Sequence, residues 1–146
     1  MPAEVAFWDT SAIIPLFCNQ VTSIETRRVR QKFNELAIWW GTHVEVYSGV
    51  NRLLRERAIS RDQSQASLAK WNMAYSISRI VQPEDKVLQL AIQLTCDRNI
   101  RALDAFQLAA ALAWCREKPR NRPFVCADKR LGDAANDAGF KVVSLL

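Results

Sequence analysis

Residues 5–13 read VAFWDTSAI. Val5 to Trp8 are a short apolar run of the kind that forms a buried strand. Asp9 ends the run, and Thr10 and Ser11 open a helix that continues through Ile13, Ile14 and Leu16. An acid at the C-terminal edge of a core strand stands where open α/β sheets bind ligands. Three later stretches repeat the theme of an acid beside a core element, at Glu45, Asp104 and Asp128.

Working outward, residues 22–36 form a charged amphipathic segment. Ile24, Val29, Phe33 and Leu36 make an approximate apolar stripe at helical spacing, so a helix is expected there. Residues 37–40 are apolar and predict a second strand, followed by a break at Gly41-Thr42. Thr42-x-x-Glu45 matches a capping box and opens a helix through about Ala58. Ser60 or Asp62 caps the next helix, which carries Leu68, Trp71, Ala74 and Tyr75. Pro83 in a first turn, with Glu84 and Asp85, starts another, with Val87, Leu90, Ala91 and Leu94 on one face. Residues 97–101 are a polar turn, and residues 103–117 an alanine-rich helix apolar enough for the core. Residues 123–127 predict a strand ending at Asp128. A short helix over 131–138 is closed by Gly139 in the left-handed conformation, and residues 141–145 are a last strand. Strands alternating with helices through short connections predict one α/β domain over residues 1–146, with a mostly parallel sheet.

Composition narrows the function classes. The 146 residues suffice for a real core, and 49% hydrophobic with 24% charged residues argues against a disordered chain. No apolar run approaches the ~18–20 residues of a membrane span, and the first residues lack a basic region followed by an apolar core. Cys18, Cys96, Cys115 and Cys126 have no C-x-x-C spacing and sit in apolar stretches, which predicts buried free thiols and a cytoplasmic protein rather than a zinc site. The net charge of +5 favours polyanionic partners. The same residues serve equally as solvated faces, as for Arg52, Arg55, Arg57 and Arg61.

Several chemistries are absent. His43 is the single histidine, without a nucleophile-elbow pattern beside it, and is expected to be structural. The four glycines are too dispersed for a phosphate-cradling loop. Carboxylates remain as the reactive set. Each also has an ordinary structural account: Asp9, Asp104 and Asp128 as helix N-caps, Glu45 as the third position of a capping box. As a set they suggest more. Four crowded carboxylates raise one another's pKa values, and a divalent cation relieves the repulsion. Oxygen-only ligands favour Mg²⁺ or Mn²⁺ over zinc.

VAFWDTSAI, THVEVYSGV, RALDAFQLAAAL and FVCADKRLGDAA, in this order and spacing, resemble the PIN-domain family, and within it the VapC-type ribonuclease toxins of toxin–antitoxin pairs. The resemblance covers nearly the whole chain. It implies a three-layer α/β/α fold with a mostly parallel central sheet flanked by helices. It further implies an endoribonuclease whose catalytic and metal-holding acids are Asp9, Glu45, Asp104 and Asp128. Asp9 and Asp104 would be the direct ligands of Mg²⁺ or Mn²⁺, with Glu45 and Asp128 completing the pocket. Thr10 or Ser11 would support the acids, and Lys129 and Arg130 are placed to meet RNA phosphate. Expected partners are an RNA substrate, a VapB-like antitoxin and a second copy of the chain; no membrane is expected. Cys126 departs from the family pattern, where Thr or Ser is common two residues before the last acid. Two other readings compete. A non-catalytic PIN-like module would bind RNA or protein without needing all four acids. A phosphohydrolase using Asp9 as nucleophile wants a second Asp two residues on, where Ser11 stands.

Overall fold

A computed structural model describes residues 4–20 and 23–146. The apolar run Val5–Trp8 is β1, the middle strand of a five-stranded sheet. Thr10–Phe17 (α1) and Ser23–Lys32 (α2) follow, then β2 (Glu35–Trp39), α3 (Thr42–Arg55) and α4 (Arg61–Ser76). The remainder is β3 (Arg79–Val81), α5 (Asp85–Asp97), α6 (Ala102–Trp114), β4 (Pro123–Cys126), α7 (Lys129–Ala138) and β5 (Lys141–Ser144). Strand order is β3-β2-β1-β4-β5 and every pairing is parallel, so the sheet is wholly rather than mostly parallel.

Helices cover both faces, which a parallel sheet requires. Alternation along β1 sends Phe7 to one side and Ala6 and Trp8 to the other. Phe7 stacks on Phe124 of β4, with ring centroids 5.5 Å apart, in a core shared with α5, α6 and α7. Ala6 and Trp8 pack with Ile13, Val46, Val50 and Trp71 beneath α1, α3 and α4. This is the three-layer α/β/α arrangement that the family resemblance implied.

Several local expectations are corrected. The helix expected over 22–36 ends at Lys32, and Leu36 is a buried strand residue; residue 22 lies outside the described residues. The apolar stripe merged one face of α2 with the first residues of β2, because Phe33 and Leu36 keep helical spacing across the boundary. β3 was not foreseen. Its three residues, exposed or half-buried, form an edge too short to show alternation. α3 ends at Arg55, and Pro83 stands outside α5, whose N-cap is Glu84. Ser60 and Gln63 form the capping box of α4, and Gly139 closes α7 at φ 111°. Cys18, Cys115 and Cys126 are buried, but Cys96 is exposed on α5. No helix among the described residues is long and apolar enough to cross a membrane.

Candidate active site

From β1 the chain moves outward through β2 to β3, then returns to the other side of β1 for β4 and β5. The order therefore reverses between β1 and β4, and the crevice at such a switch point lies beyond the carboxyl ends of those strands. Asp9 directly follows β1 and Asp128 lies two residues past β4. The Asp9 N–H donates to Val125 O at 3.0 Å, fastening the two strand ends together.

Asp9 is 5% exposed and is the N-cap of α1. Its Oδ2 accepts from the Ser11 N–H at 3.2 Å and from the Ser11 hydroxyl. Ser11 Oγ in turn accepts from the Ala127 N–H at 2.9 Å. One hydroxyl thus links the first acid to the turn that carries the fourth. Asp128 caps α7 by accepting from the Leu131 N–H at 2.9 Å. Capping and proximity to the switch point coexist at both positions.

Glu45 and Asp104 do not do the local jobs open to them in the sequence. The Thr42-x-x-Glu45 capping box does not form; Gly41 is the N-cap of α3 and makes no side-chain cap. Arg101, not Asp104, is the N-cap of α6, and Asp104 stands inside the first turn. Glu45 and Thr42 face Gln107 of α6. Its Nε2 lies 3.0 Å from Thr10 Oγ1, 2.9 Å from Thr42 Oγ1 and 3.0 Å from Glu45 Oε1. Gln107 is fully buried one turn beyond Asp104, and its Oε1 has no hydrogen-bond partner among the described residues. The signal for it was one amide in an otherwise apolar run, FQLAAAL. A buried polar side chain in a core helix needs partners from other elements.

The electrostatics join the four acids. Burial, then the charge of Asp104, pushes Asp9 up to about 6 against the opposing Ser11 hydrogen bonds. Burial, then Asp9, raises Glu45 to about 7, with Asp104 adding to the shift and Gln107 opposing it. Burial, then Asp128, raises Asp104, while Arg101 and Arg130 oppose the shift. Each acid therefore lies within the field of at least one other. Among the described residues, however, no three His, Cys, Asp or Glu side chains close on one point as a ready metal cage.

The donor chemistry nonetheless suits a hard cation. None of the four acids takes part in a salt bridge among the described residues, and Asp104 accepts no hydrogen bond there. Uncompensated, partly buried carboxylates attract a divalent ion, and an all-oxygen set selects Mg²⁺ or Mn²⁺. The nearby soft atom does not compete. Cys126 Sγ is 4.0 Å from Asp9 Oδ2, and burial, then the Asp9 charge, pushes its thiol up to about 12, so it stays protonated. It also takes over turn chemistry at the family's hydroxyl position, with Sγ accepting from the Asp128 N–H at 3.3 Å.

Basic residues stand on two sides of the acids. A cleft of about 310 Å³ runs from Thr10, Ser11 and Glu45 to Arg52 and Arg55 on α3. Lys129 and Arg130 are exposed in the first turn of α7, with Lys129 Nζ 3.2 Å from Asp133. His43 lies apart from this chemistry: its Nδ1 accepts from Trp71 Nε1 at 3.0 Å and its ring stacks on Tyr75. Trp39 is core, whereas Trp40 is half exposed.

The chain belongs to the PIN domain family, whose pattern matches residues 6–136. Several solved structures of similar fold come from toxin–antitoxin systems. A toxin–antitoxin complex from Klebsiella pneumoniae is 20% identical, covering 97% of this chain and 98% of that one, with a TM-score of 0.65. VapBC2 from Rickettsia felis, bound to a DNA fragment from their promoter, is 14% identical, covering 96% and 98%, at 0.64. VapBC-5 from Mycobacterium tuberculosis is 21% identical, covering 98% of both chains, at 0.56. At these identities the likeness establishes the fold. No curated protein sequence matches the chain at a significant level. Family and fold together are consistent with a nuclease.

Proposed function

We propose that the chain is a Mg²⁺- or Mn²⁺-dependent endoribonuclease, the toxin of a VapBC-type pair. The observation that carries this reading is the placement of Asp9 and Asp128 at the β1/β4 switch point, electrostatically joined through Asp104 to Glu45, with none of the four in a salt bridge among the described residues. Asp9 and Asp104 would hold the ion directly, and Glu45 and Asp128 would complete its surroundings. A bound ion would supply charge stabilisation at a phosphodiester and would activate a water near neutral pH.

The chain's own residues set the rest. Ser11 fixes the Asp9 carboxylate through Oδ2 and ties it to the β4–α7 turn. Gln107 aims Glu45 through Oε1. Burial, then the Asp9 charge, raises Glu45 in the ion-free site, and a cation held there would offset that shift. Arg52, Arg55, Lys129 and Arg130 offer phosphate contacts on either side. Hydrolysis by water leaves 5′-phosphate and 3′-hydroxyl ends. The solved toxin–antitoxin complexes of the same fold support an antitoxin as partner, and the family resemblance supports a homodimer.

The test is cleavage of a labelled mixed RNA pool with and without Mn²⁺ or Mg²⁺, comparing wild type with Asp9→Asn. Metal-dependent cutting that the variant loses supports the reading. Wild-type cutting rates in a folded Asp9→Asn protein would sink the site assignment. Metal-dependent RNA binding without cutting would favour a non-catalytic module.

A further inference from the structure

A second cleft, of about 390 Å³, is lined by Asp104, by residues of the loop before α6 and by α7. Its charged lining is Arg98, Arg101, Asp104, Arg130, Asp133 and Asp137. Two of its acids are already neutralised. Arg98 Nη1 is 3.2 Å from Asp137 Oδ2, and Lys129 Nζ is 3.2 Å from Asp133 Oδ2. Arg101 and Arg130 are different. Both are exposed, both lie within the field of Asp104, and neither comes within salt-bridge distance of any carboxylate among the described residues.

Each arginine sits at a helix start. Arg101 is the N-cap of α6 and gives it no side-chain cap; Arg130 is the second residue of α7. Two helix N-termini, with their partial positive charge, therefore flank the same recess as two free guanidinium groups. The cleft therefore holds two positive side chains with no salt-bridge partner among the described residues. A guanidinium fork matches the geometry of a phosphate, which it can bind through two hydrogen bonds.

We propose that this cleft is an RNA phosphate subsite, in which Arg101 and Arg130 clamp a backbone phosphate next to the scissile one. This rests on the nuclease reading above and deepens it. The RNA strand would enter along the α6–α7 side, cross the acids, and leave past Arg52 and Arg55. Arg101 and Arg130 act as substrate-positioning residues rather than as ligands of the ion or proton carriers. The competing role is purely local: the two charges would do no more than steady Asp104.

The test compares wild type, Arg101→Ala, Arg130→Ala, the double variant and an exposed control, Arg27→Ala. Binding of a fluorescent single-stranded RNA of mixed sequence is read across salt in EDTA, and KM for cleavage of the same RNA in Mn²⁺. Each arginine removed should lower the slope of log K against log salt by about 0.7, the share of one phosphate contact on a single strand. KM should rise several-fold for each single variant and further for the double, with kcat changed less and the control unchanged. Mn²⁺ titration calorimetry on each protein gives the separate readout. An unchanged salt slope and KM in the double variant, with altered Mn²⁺ affinity, would overturn the subsite and leave the nuclease reading standing. A wild type that neither binds nor cuts RNA would overturn both. Circular dichroism confirms folding, and Arg130→Lys, which keeps charge but loses the fork, should recover the salt slope more fully than KM.

Discussion

Gln107 Nε2 lies 3.0 Å from Glu45 Oε1 across the junction of α6 and α3. The same nitrogen reaches Thr10 on α1 and Thr42 on α3, so one amide joins three helices at the edge of the candidate site. An amide has two hydrogens for three acceptors. At least one hydroxyl must therefore yield, and the carboxylate of Glu45 is the strongest of the three acceptors. Gln107→Leu should leave Glu45 unaimed. Activity should fall by about tenfold or more, equivalent to ~1.4 kcal/mol of transition-state stabilisation. The stability loss should be smaller than three lost hydrogen bonds imply, on the order of 1–2 kcal/mol, because the unpaired Oε1 is removed as well. Chemical denaturation alongside single-turnover cleavage separates the two effects.

Asp9 carries a pH signature. Unfolded, it titrates near 3.8; folded, at about 6. Below pH 4 both states hold the proton and the group costs nothing. As pH rises from about 4 to 6, the unfolded chain releases its proton first, so folding stability falls. Above about pH 7 both states are ionised and the loss is complete, at roughly 3 kcal/mol for this residue. Glu45, raised to about 7, works in the same direction over a slightly higher range. In EDTA the thermal midpoint should therefore be lower at pH 8 than at pH 5. Mg²⁺ or Mn²⁺ should restore most of the difference at pH 8 by binding the folded state alone. A midpoint that rises with pH in EDTA would contradict the electrostatics of the site.

The same reasoning makes Asp9→Asn unusual among inactivating substitutions. Asn keeps an acceptor for Ser11 while removing a buried charge. In EDTA at pH 8 the variant should unfold at a higher temperature than wild type, and divalent ions should stabilise it less. Scanning calorimetry on the two proteins checks this directly.

Ser11→Ala removes the hydroxyl between Asp9 Oδ2 and the Ala127 N–H. A part-buried backbone donor then loses its partner, at a cost of about 1–3 kcal/mol. Because the lost link spans the first and fourth acids, divalent-ion affinity should weaken together with stability. Isothermal titration with Mn²⁺ reads the first, urea unfolding the second.

His43→Ala should behave in the opposite way. Its imidazole accepts the indole N–H of the fully buried Trp71 at 3.0 Å, so removal costs about 1–3 kcal/mol of stability. Metal-dependent cleavage per folded molecule should stay near wild type. A large loss of kcat in a folded His43→Ala protein would show that the only histidine has a chemical role after all.

What the sequence disclosed and what it withheld follow from how local each signal is. Val5 to Trp8, Asp9 and the helix start form one unbroken pattern, and the same holds for residues 123–128 before α7. Those stretches carried strand, acid and cap together. β3 left no trace because three edge residues cannot display alternation. The α2–β2 boundary was blurred because Phe33 and Leu36 fit either period. Glu45 and Asp104 were legible as acids but not in their local roles. Glu45 answers to Gln107, and the two acids feel one another's charge, across elements far apart in sequence, and no spacing rule encodes that. Arg101 was invisible for the same reason: it gains meaning only when α7 brings Arg130 to the other wall of the cleft.

β1 lies at the centre of the sheet, yet one of its two neighbours is the fourth strand in the chain. A ribosome delivers Asp9 long before Asp128. Until β4 slots in beside β1, the carbonyl of Val125 cannot meet the Asp9 N–H, and Ser11 has no Ala127 to hold. Long-range parallel pairings of this kind form late and slowly. The assembled acids are thus a property of the folded domain, and a nascent chain that has not yet delivered β4 is without them.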